Sequence, residues 1–243
     1  MSASHRACSA RHKLPGALSC LVPLQVEAVI FDLDGTLLDS REAFIHQNLD
    51  ILKEFGHLKA SLADATELLG MSPAQILSKM GVSESEHKRY VAKIDASYID
   101  HYMKKYTEPF PGVIQCLEKL KKAGIAIGVA TNTTREILEQ SLRWAKIDSL
   151  VDAAVCADGT MREKPEPDML IEVLKKLGVS AKNAIYVGDT ELDVIAAKNA
   201  GVPSFITVSG GIGKLDVIMA LKPDALMPTA AWLCRIISVT HLI

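Results

Sequence analysis

Neither sign of charge dominates this chain. It carries 27 Lys and Arg side chains against 29 Asp and Glu side chains, so it has no basic field of the kind that attracts nucleic acid or anionic lipid. It also lacks any run of about 18 apolar residues, the length that a membrane-spanning helix requires. We therefore expect no nucleic acid and no membrane as partner, and a small ligand bound locally instead.

Cysteine is scarce and follows no pattern. The five cysteines are odd in number and include no C-x-x-C pair, so the sequence predicts neither a disulfide framework nor a zinc site. Reduced thiols in a cytoplasmic protein are the expectation.

Acidic residues are missing from the first 26 positions, where Arg6, Arg11 and Lys13 accompany the short apolar stretch "LPGALSCLVPL". This composition raises the alternative of a targeting peptide. The stretch is interrupted by prolines and a glycine and has no A-x-A type cleavage site. We therefore interpret residues 1–25 as a flexible N-terminal extension.

Short apolar runs recur along the chain, at 27–32, 124–132, 152–158, 183–189 and 203–209. Each is nearly continuous rather than alternating, which is typical of strands covered on both faces. Helical patterns separate the later runs. The predicted fold class is therefore α/β, a doubly wound, Rossmann-like parallel sheet. Residues 223–237 are expected to add a short strand and a terminal helix.

One segment interrupts the alternation. Residues 40–106 contain no strand signal and four helical patterns instead, which predicts a small all-α cap domain inserted into the chain. Residues 26–39 and 107–243 would then form the α/β core.

Polar residues follow the apolar runs, at the strand ends where an open parallel sheet binds its ligands. They are Asp32, Asp34, Thr131, Asn132, Lys164, Asp189 and Asp193. Four carboxylates on one rim repel one another unless a divalent cation lies between them, and a site with only oxygen ligands favours Mg²⁺.

An anion pocket is expected beside that metal. Thr131, Lys164 and the start of the next helix would form it, and the helix start resembles a capping box in "TTRE", residues 133–136. A metal, an anion pocket and a free carboxylate together indicate phosphoryl transfer.

The order of these motifs resembles that of the haloacid dehalogenase superfamily, specifically its phosphatases. The resemblance covers residues 26 to about 210 and rests on four pieces, Asp32-x-Asp34-Gly35-Thr36, Thr131-Asn132, Lys164-Pro165 and Gly188-Asp189-x-x-x-Asp193. The segments "KPEPD" (164–168) and 188–201 are similar to the phosphoglycolate phosphatase-like branch.

The resemblance implies roles for these residues. Asp32 would attack phosphorus to form an aspartyl-phosphate, and Asp34 would act as acid and then as base. Mg²⁺ would be held by Asp32, the main-chain carbonyl of Asp34 and Asp189, with Asp193 nearby directly or through water. The residues implied in phosphate binding are Thr131, Asn132 and Lys164.

The substrate implied is a small phosphorylated metabolite, with 2-phosphoglycolate the leading candidate. Specificity is expected from the cap loop that contains Gly70, Met71, Ser72 and Pro73, and Arg135 is a second candidate for binding an anionic tail. A sugar phosphomutase of the β-phosphoglucomutase type and a pyrophosphatase stay open as alternatives.

Two alternatives are not enzymes: a phospho-accepting receiver and a binding module. A receiver lacks a helical insert and its motif order ends with Lys, whereas here Asp189 and Asp193 come last.

Two other enzyme activities of the superfamily are disfavoured. Dehalogenases and phosphonate hydrolases of the superfamily lack the second aspartate of the first motif, so Asp34 argues against both.

Overall fold

The computed structural model describes residues 26–207 and 212–240, except for the side chains of the last three of these residues. Its eight strands are β1 (Ala28–Phe31), β2 (Leu38–Asp39), β3 (Glu108–Pro109), β4 (Ala126–Thr131), β5 (Ala153–Cys156), β6 (Ala184–Gly188), β7 (Ser204–Thr207) and β8 (Ala225–Met227).

Six of these strands form one parallel sheet in the order β5-β4-β1-β6-β7-β8. Strand β1 lies in the middle, where Val29 pairs with Ile127 on one side and Ile185 on the other. Its residues are buried on both faces, as expected for a nearly continuous apolar run. The sheet confirms the predicted strands, and β8 confirms the one predicted after residue 223.

The α-helices are α1 (Arg41–Glu54), α2 (Leu62–Thr66), α3 (Pro73–Lys79), α4 (Glu84–Ser97), α5 (Lys104–Tyr106), α6 (Val113–Lys122), α7 (Arg135–Trp144), α8 (Asp168–Leu177), α9 (Glu191–Ala200), α10 (Leu215–Ala220) and α11 (Leu233–Thr240). A π-helical segment, Tyr98–Met103, joins α4 to α5.

Helices cover both faces of the sheet. On one face, α6, α7 and α11 pack through side chains such as Leu117 and Leu138 against Val29. On the other face, α8 and α9 pack against Ile30 and Tyr186. This arrangement confirms the doubly wound α/β fold.

Helices α1–α5 lie between two short strands that pair with each other. Antiparallel pairing of Leu38 with Pro109 brings the start and the end of this helical segment side by side. The helices share an apolar core of their own, which includes Ile45, Leu52, Leu68, Leu77 and Ile94. The division into a core and a cap domain stays a prediction.

The prediction for the cysteines is wrong for one pair. Cys116 on α6 and Cys234 on α11 form a disulfide, with Cα atoms 5.6 Å apart. The two residues are 118 positions apart in sequence, so no local spacing could indicate that α6 and α11 pack against each other. Cys156 is a buried free thiol.

One sequence-based interpretation, the flexible N-terminal extension at 1–25, lies outside the described residues. Within residues 26–207 and 212–240, no helix has both the length and the apolar character needed to cross a bilayer.

Candidate active site

The carboxyl ends of three neighbouring strands bring acidic and hydroxyl side chains together. Asp32 follows β1, Thr131 ends β4, and Asp189 follows β6. Strands β4, β1 and β6 are adjacent in the sheet, so residues that are far apart in the sequence meet at one edge. The loop after β5, which lies next to β4, adds Lys164.

Lys164 is the cation at the centre of this cluster. Its Nζ lies 2.9 Å from Asp32 Oδ1 and 2.7 Å from Asp193 Oδ1, and the side chain is only 3% exposed. Burial alone would lower its pKa, but the charges of Asp193 and Asp32 outweigh this and hold the pKa well above its usual value. The lysine is therefore charged.

Asp193 accepts hydrogen bonds on both carboxylate oxygens. Oδ1 accepts from Lys164 Nζ and from the Tyr186 hydroxyl, each at 2.7 Å, while Oδ2 accepts from Thr190 Oγ1 (2.7 Å), Thr190 N (2.9 Å) and Asp189 N (3.1 Å). Thr190 and Asp193 also form the capping box that begins α9. Asp193 thus fixes both Lys164 and the turn that carries Asp189.

Two carboxyl groups at the end of β1 have raised pKa values. Burial raises the pKa of Asp32 to about 7, an effect that Lys164 opposes and Asp193 reinforces. Burial likewise raises the pKa of Asp34 to about 6, although the Ser40 hydroxyl donates a 2.7 Å hydrogen bond to its Oδ1. Leu33 N donates to Asp32 Oδ1 at 2.8 Å.

Asp189 has one satisfied oxygen and one unsatisfied oxygen. Oδ1 accepts a 3.1 Å hydrogen bond from Thr36 Oγ1, whereas Oδ2 is buried and has no partner among the described residues. Burial, together with the charges of Asp193 and Asp32, raises the pKa of Asp189 well above its usual value. A buried polar atom without a partner is costly.

Gly35 leaves the space beside this oxygen open. Its φ of +78° suits glycine, and a Cβ there would lie 2.2 Å from Asp189 Oδ2. Any other residue would therefore fill the space that the unsatisfied oxygen faces.

The acidic residues fit a divalent cation. One oxygen each from Asp32, Asp189 and Asp193 lie within 4.8 Å of one another, and a hard cation takes oxygen ligands of this kind. Asp189 Oδ2 has no other partner in the described chain, so a cation would satisfy it. Asp193 is already saturated with donors, which favours an indirect role for it.

Asn132 does not present a free side chain to a phosphate. Its Oδ1 accepts a hydrogen bond from Lys164 N at 2.8 Å, and its Nδ2 donates to Lys164 O at 3.1 Å. The amide therefore holds the main chain of Lys164, just before the cis peptide bond to Pro165. Thr131 Oγ1 accepts from Thr133 N at 3.2 Å.

The predicted capping box at 133–136 is wrong. Helix α7 begins at Arg135 with Thr134 as N-cap, and no side-chain hydrogen bond caps it. The main-chain N–H of Thr133 instead donates a hydrogen bond to Thr131 Oγ1. The helix therefore begins one residue later than the sequence pattern predicts.

A cavity that is partly open to solvent is lined by Asp32, Asp34 and Lys164. Its other wall comes from the helical segment, between residues 44 and 94. Gly70, Met71 and Pro73 of the predicted specificity loop line it.

Two residues of the predicted specificity set are not part of this lining. The Ser72 side chain caps α3 by accepting a hydrogen bond from Gln75 N at 3.3 Å. Arg135 lies in a neighbouring groove and forms an ion pair with Asp158. Its guanidinium pairs with that carboxylate outside the cavity, and a role for Arg135 in binding an anionic tail stays a prediction.

The sequence match to a protein family identifies the family of this chain. Residues 29–207, which include every motif of the site, match the family described as "Haloacid dehalogenase-like hydrolase". The chain belongs to the haloacid dehalogenase-like hydrolase family. The resemblance stated from the sequence motifs is thereby confirmed.

Individual relatives of this hydrolase cover most of its length. Pyrophosphatase PpaX of Bacillus cereus is 28% identical over 215 residues, which cover 88% of this chain and 98% of the relative. A solved structure of a predicted phosphoglycolate phosphatase from Haemophilus somnus has a TM-score of 0.76 and 25% identity, covering 88% and 98% of the two chains. CbbY from Rhodobacter sphaeroides, in complex with phosphate, shares the fold with a TM-score of 0.73 at 20% identity, covering 86% of this chain and 96% of that chain.

Sequence reasoning missed several residues of the hydrolase site. Tyr186 lies inside the apolar run of β6 and was indistinguishable from a core residue, yet its hydroxyl contacts both Lys164 and Asp193. Ser40 follows β2 and reaches Asp34 only because the chain turns back there. Thr36 belongs to the first motif, and its position next to Gly35 was the available signal for its contact with Asp189.

Proposed function

We propose that this hydrolase is a Mg²⁺-dependent phosphatase that hydrolyses small phosphate monoesters through an aspartyl-phosphate formed on Asp32. The observation that carries the proposal is the pairing of Asp32 with the buried Lys164 at 2.9 Å, beside a second carboxyl group and the unsatisfied Oδ2 of Asp189. This arrangement supplies a nucleophile, a proton donor, an anion partner and oxygen ligands within one site.

Asp32 has one oxygen available for attack. Its contacts with Lys164 Nζ and Leu33 N both fall on Oδ1, which leaves Oδ2 to form a bond with phosphorus. As that bond forms, the bond from phosphorus to the leaving alcohol oxygen breaks. Lys164 holds the carboxylate in place and offsets the charge that a phosphoryl group brings.

Asp34 would move the protons. With its pKa raised to about 6, it can give a proton to the leaving alcohol oxygen and then, as carboxylate, accept one from the water that attacks the aspartyl-phosphate. That second step releases inorganic phosphate and restores Asp32. The Ser40 hydroxyl orients Asp34 through its 2.7 Å hydrogen bond.

Asp32, Asp189 and the main-chain carbonyl of Asp34 would hold Mg²⁺, which when bound neutralises charge on the transferred phosphoryl group. The oxygen-only set and the unsatisfied Asp189 Oδ2 support this assignment. Asp193 supports the site by holding Lys164 and the turn at Thr190. Cation binding would also relieve the repulsion among these acids.

Within small phosphate compounds, 2-phosphoglycolate stays the substrate predicted from the sequence resemblance. The names of relatives support two chemistries, since one is a pyrophosphatase and one a predicted phosphoglycolate phosphatase. A sugar phosphomutase stays an alternative, distinguished by transfer of the phosphoryl group to a second sugar hydroxyl instead of water.

The test measures phosphate release from a panel of esters, with Mg²⁺ and with excess chelator, by wild type and Asp32→Asn. We expect release with Mg²⁺ only, and none from Asp32→Asn because an amide cannot form the acyl-phosphate. The exposed acid Asp39 offers a matched control, and Asp39→Asn should keep wild-type activity. Activity in chelator, or more than a few per cent retained by Asp32→Asn, would contradict the proposal.

A further inference from the structure

The cavity above Asp32 has two chemically different halves. Its base holds the acids and Lys164, whereas the wall from the helical segment is apolar. The apolar side chains of this wall include Phe44, Ile51, Leu68, Met71, Ile76 and Ile94. A phosphate monoester whose phosphorus faces Asp32 would extend its alcohol portion toward this wall.

The polar side chains on the wall are neutral amides that already have partners. Gln47 Nε2 donates to the main-chain oxygen of Ile94 at 2.6 Å, and Asn48 Nδ2 donates to that of Ala65 at 3.3 Å. Both side chains are nearly fully buried. They hold the helices of the wall together and contribute no positive charge to the cavity.

Lys164 is the only cation among the described residues that line the cavity. It is already bound to Asp32 and Asp193, and it lies at the phosphoryl end. Arg135, the other basic residue considered for an anionic tail, pairs with Asp158 outside the cavity. A second anionic group on a substrate would therefore lie against apolar side chains of the wall, with no cationic side chain of the described residues there to pair with it.

Burying an unpaired charge is strongly unfavourable, whereas burying alkyl groups is favourable. We infer that the substrate of this site is a phosphate monoester whose alcohol portion is uncharged and mainly apolar, an alkyl or aryl phosphate. The inference rests on the proposed phosphatase function and narrows it. It disfavours 2-phosphoglycolate, which has a carboxylate at that position, and pyrophosphate, which has a second phosphoryl group.

The first test compares esters of matched shape on the wild-type protein with Mg²⁺. Isobutyl phosphate replaces the carboxylate of 2-phosphoglycolate by an isopropyl group of similar shape, in which methyl groups stand where the two oxygens were. We expect kcat/KM for isobutyl phosphate to exceed that for 2-phosphoglycolate, and that for pyrophosphate, at least tenfold. Along methyl, ethyl, propyl and butyl phosphate, each added methylene that the wall buries should raise kcat/KM about fourfold.

The second test adds a cation to the wall. Met71 lines the cavity and is partly buried, so Met71→Lys should raise the ratio of kcat/KM for 2-phosphoglycolate to that for isobutyl phosphate at least tenfold. Leu58→Lys adds the same charge at a site that is 78% exposed and does not line the cavity. That control should keep the wild-type ratio.

The outcomes separate this inference from the proposed function. Turnover with Mg²⁺ in which 2-phosphoglycolate or pyrophosphate exceeds isobutyl phosphate would overturn the inference and leave the phosphatase function standing. Absence of turnover for every monoester would overturn both. If Met71→Lys does not fold, as judged by circular dichroism, the wild-type ester series decides alone, because a flat response to alkyl length contradicts an apolar alcohol site.

Discussion

Replacing Asn132 by alanine should destabilise the protein and impair catalysis without removing a phosphate ligand. The side chain makes two hydrogen bonds, one from Lys164 N at 2.8 Å and one to Lys164 O at 3.1 Å. At about 1 kcal/mol net for each, Asn132→Ala should lower the free energy of unfolding by about 2 kcal/mol. The main chain that carries Lys164 would then be held less firmly beside Asp32.

Urea denaturation without metal measures the loss of stability, and steady-state kinetics measure its consequence. We expect kcat to fall because Lys164 no longer holds Asp32 in one position, while the inhibition constant of inorganic phosphate changes less than twofold. A residue that binds phosphate directly would show the opposite pattern, with a weakened inhibition constant and unchanged stability.

Asn183 supplies a matched control. Its Nδ2 makes one hydrogen bond, to Glu27 Oε1 at 3.0 Å, and it lies away from the cavity. Asn183→Ala should cost about half as much stability as Asn132→Ala and leave kcat unchanged. If Asn132→Ala costs less than about 0.5 kcal/mol, the two hydrogen bonds do not hold the Lys164 main chain in solution, and the reasoning fails.

Three further changes test other parts of the structure. Asp34→Asn should keep rapid phosphoenzyme formation with good leaving groups but slow its hydrolysis, as a phosphate burst would show; equal loss of both steps would refute separate roles. Burial raises the pKa of Asp95 to about 6, so ionisation of Asp95 lowers the free energy of unfolding as the pH rises from about 4 through 6. In urea denaturation, Asp95→Asn should therefore have a free energy of unfolding about 1 to 2 kcal/mol above that of wild type at pH 8 and equal to it at pH 4. Reductant should lower the unfolding free energy by roughly 5 kcal/mol because it opens the long loop that the Cys116–Cys234 disulfide closes, and a variant with serine at both positions should not respond.

The sheet and the acidic edge could be predicted because both depend on local signals. Nearly continuous apolar runs identify buried parallel strands, and the ends of such strands meet at one edge. Asp32, Thr131 and Asp189 were therefore assigned to one edge without knowledge of their contacts. The resemblance to the family then supplied roles that the spacing alone could not.

Partners across the sheet could not be predicted. The hydrogen bond from Lys164 to Asp193 depends on the path of the loop after β5. Tyr186 can be recognised as part of the same cluster only when Lys164 is known to lie beside it. The disulfide between Cys116 and Cys234 has the same origin, since it follows from the packing of α11 on α6. These contacts are set by tertiary structure and leave no trace in local sequence patterns.

The apolar wall of the cavity could not be predicted from the sequence either. Ile51, Leu68, Ile76 and Ile94 belong to the core that holds the helical segment together, and the same four side chains line the cavity. Helical periodicity predicts that such residues are buried, but it does not distinguish burial against a neighbouring helix from burial against a substrate. Because the same side chains stabilise the helical segment and line the cavity, we expect truncation of any of them to reduce stability together with the proposed preference for apolar esters. Selectivity can therefore be changed with least loss of stability at Met71, which lines the cavity from a loop at the edge of that core.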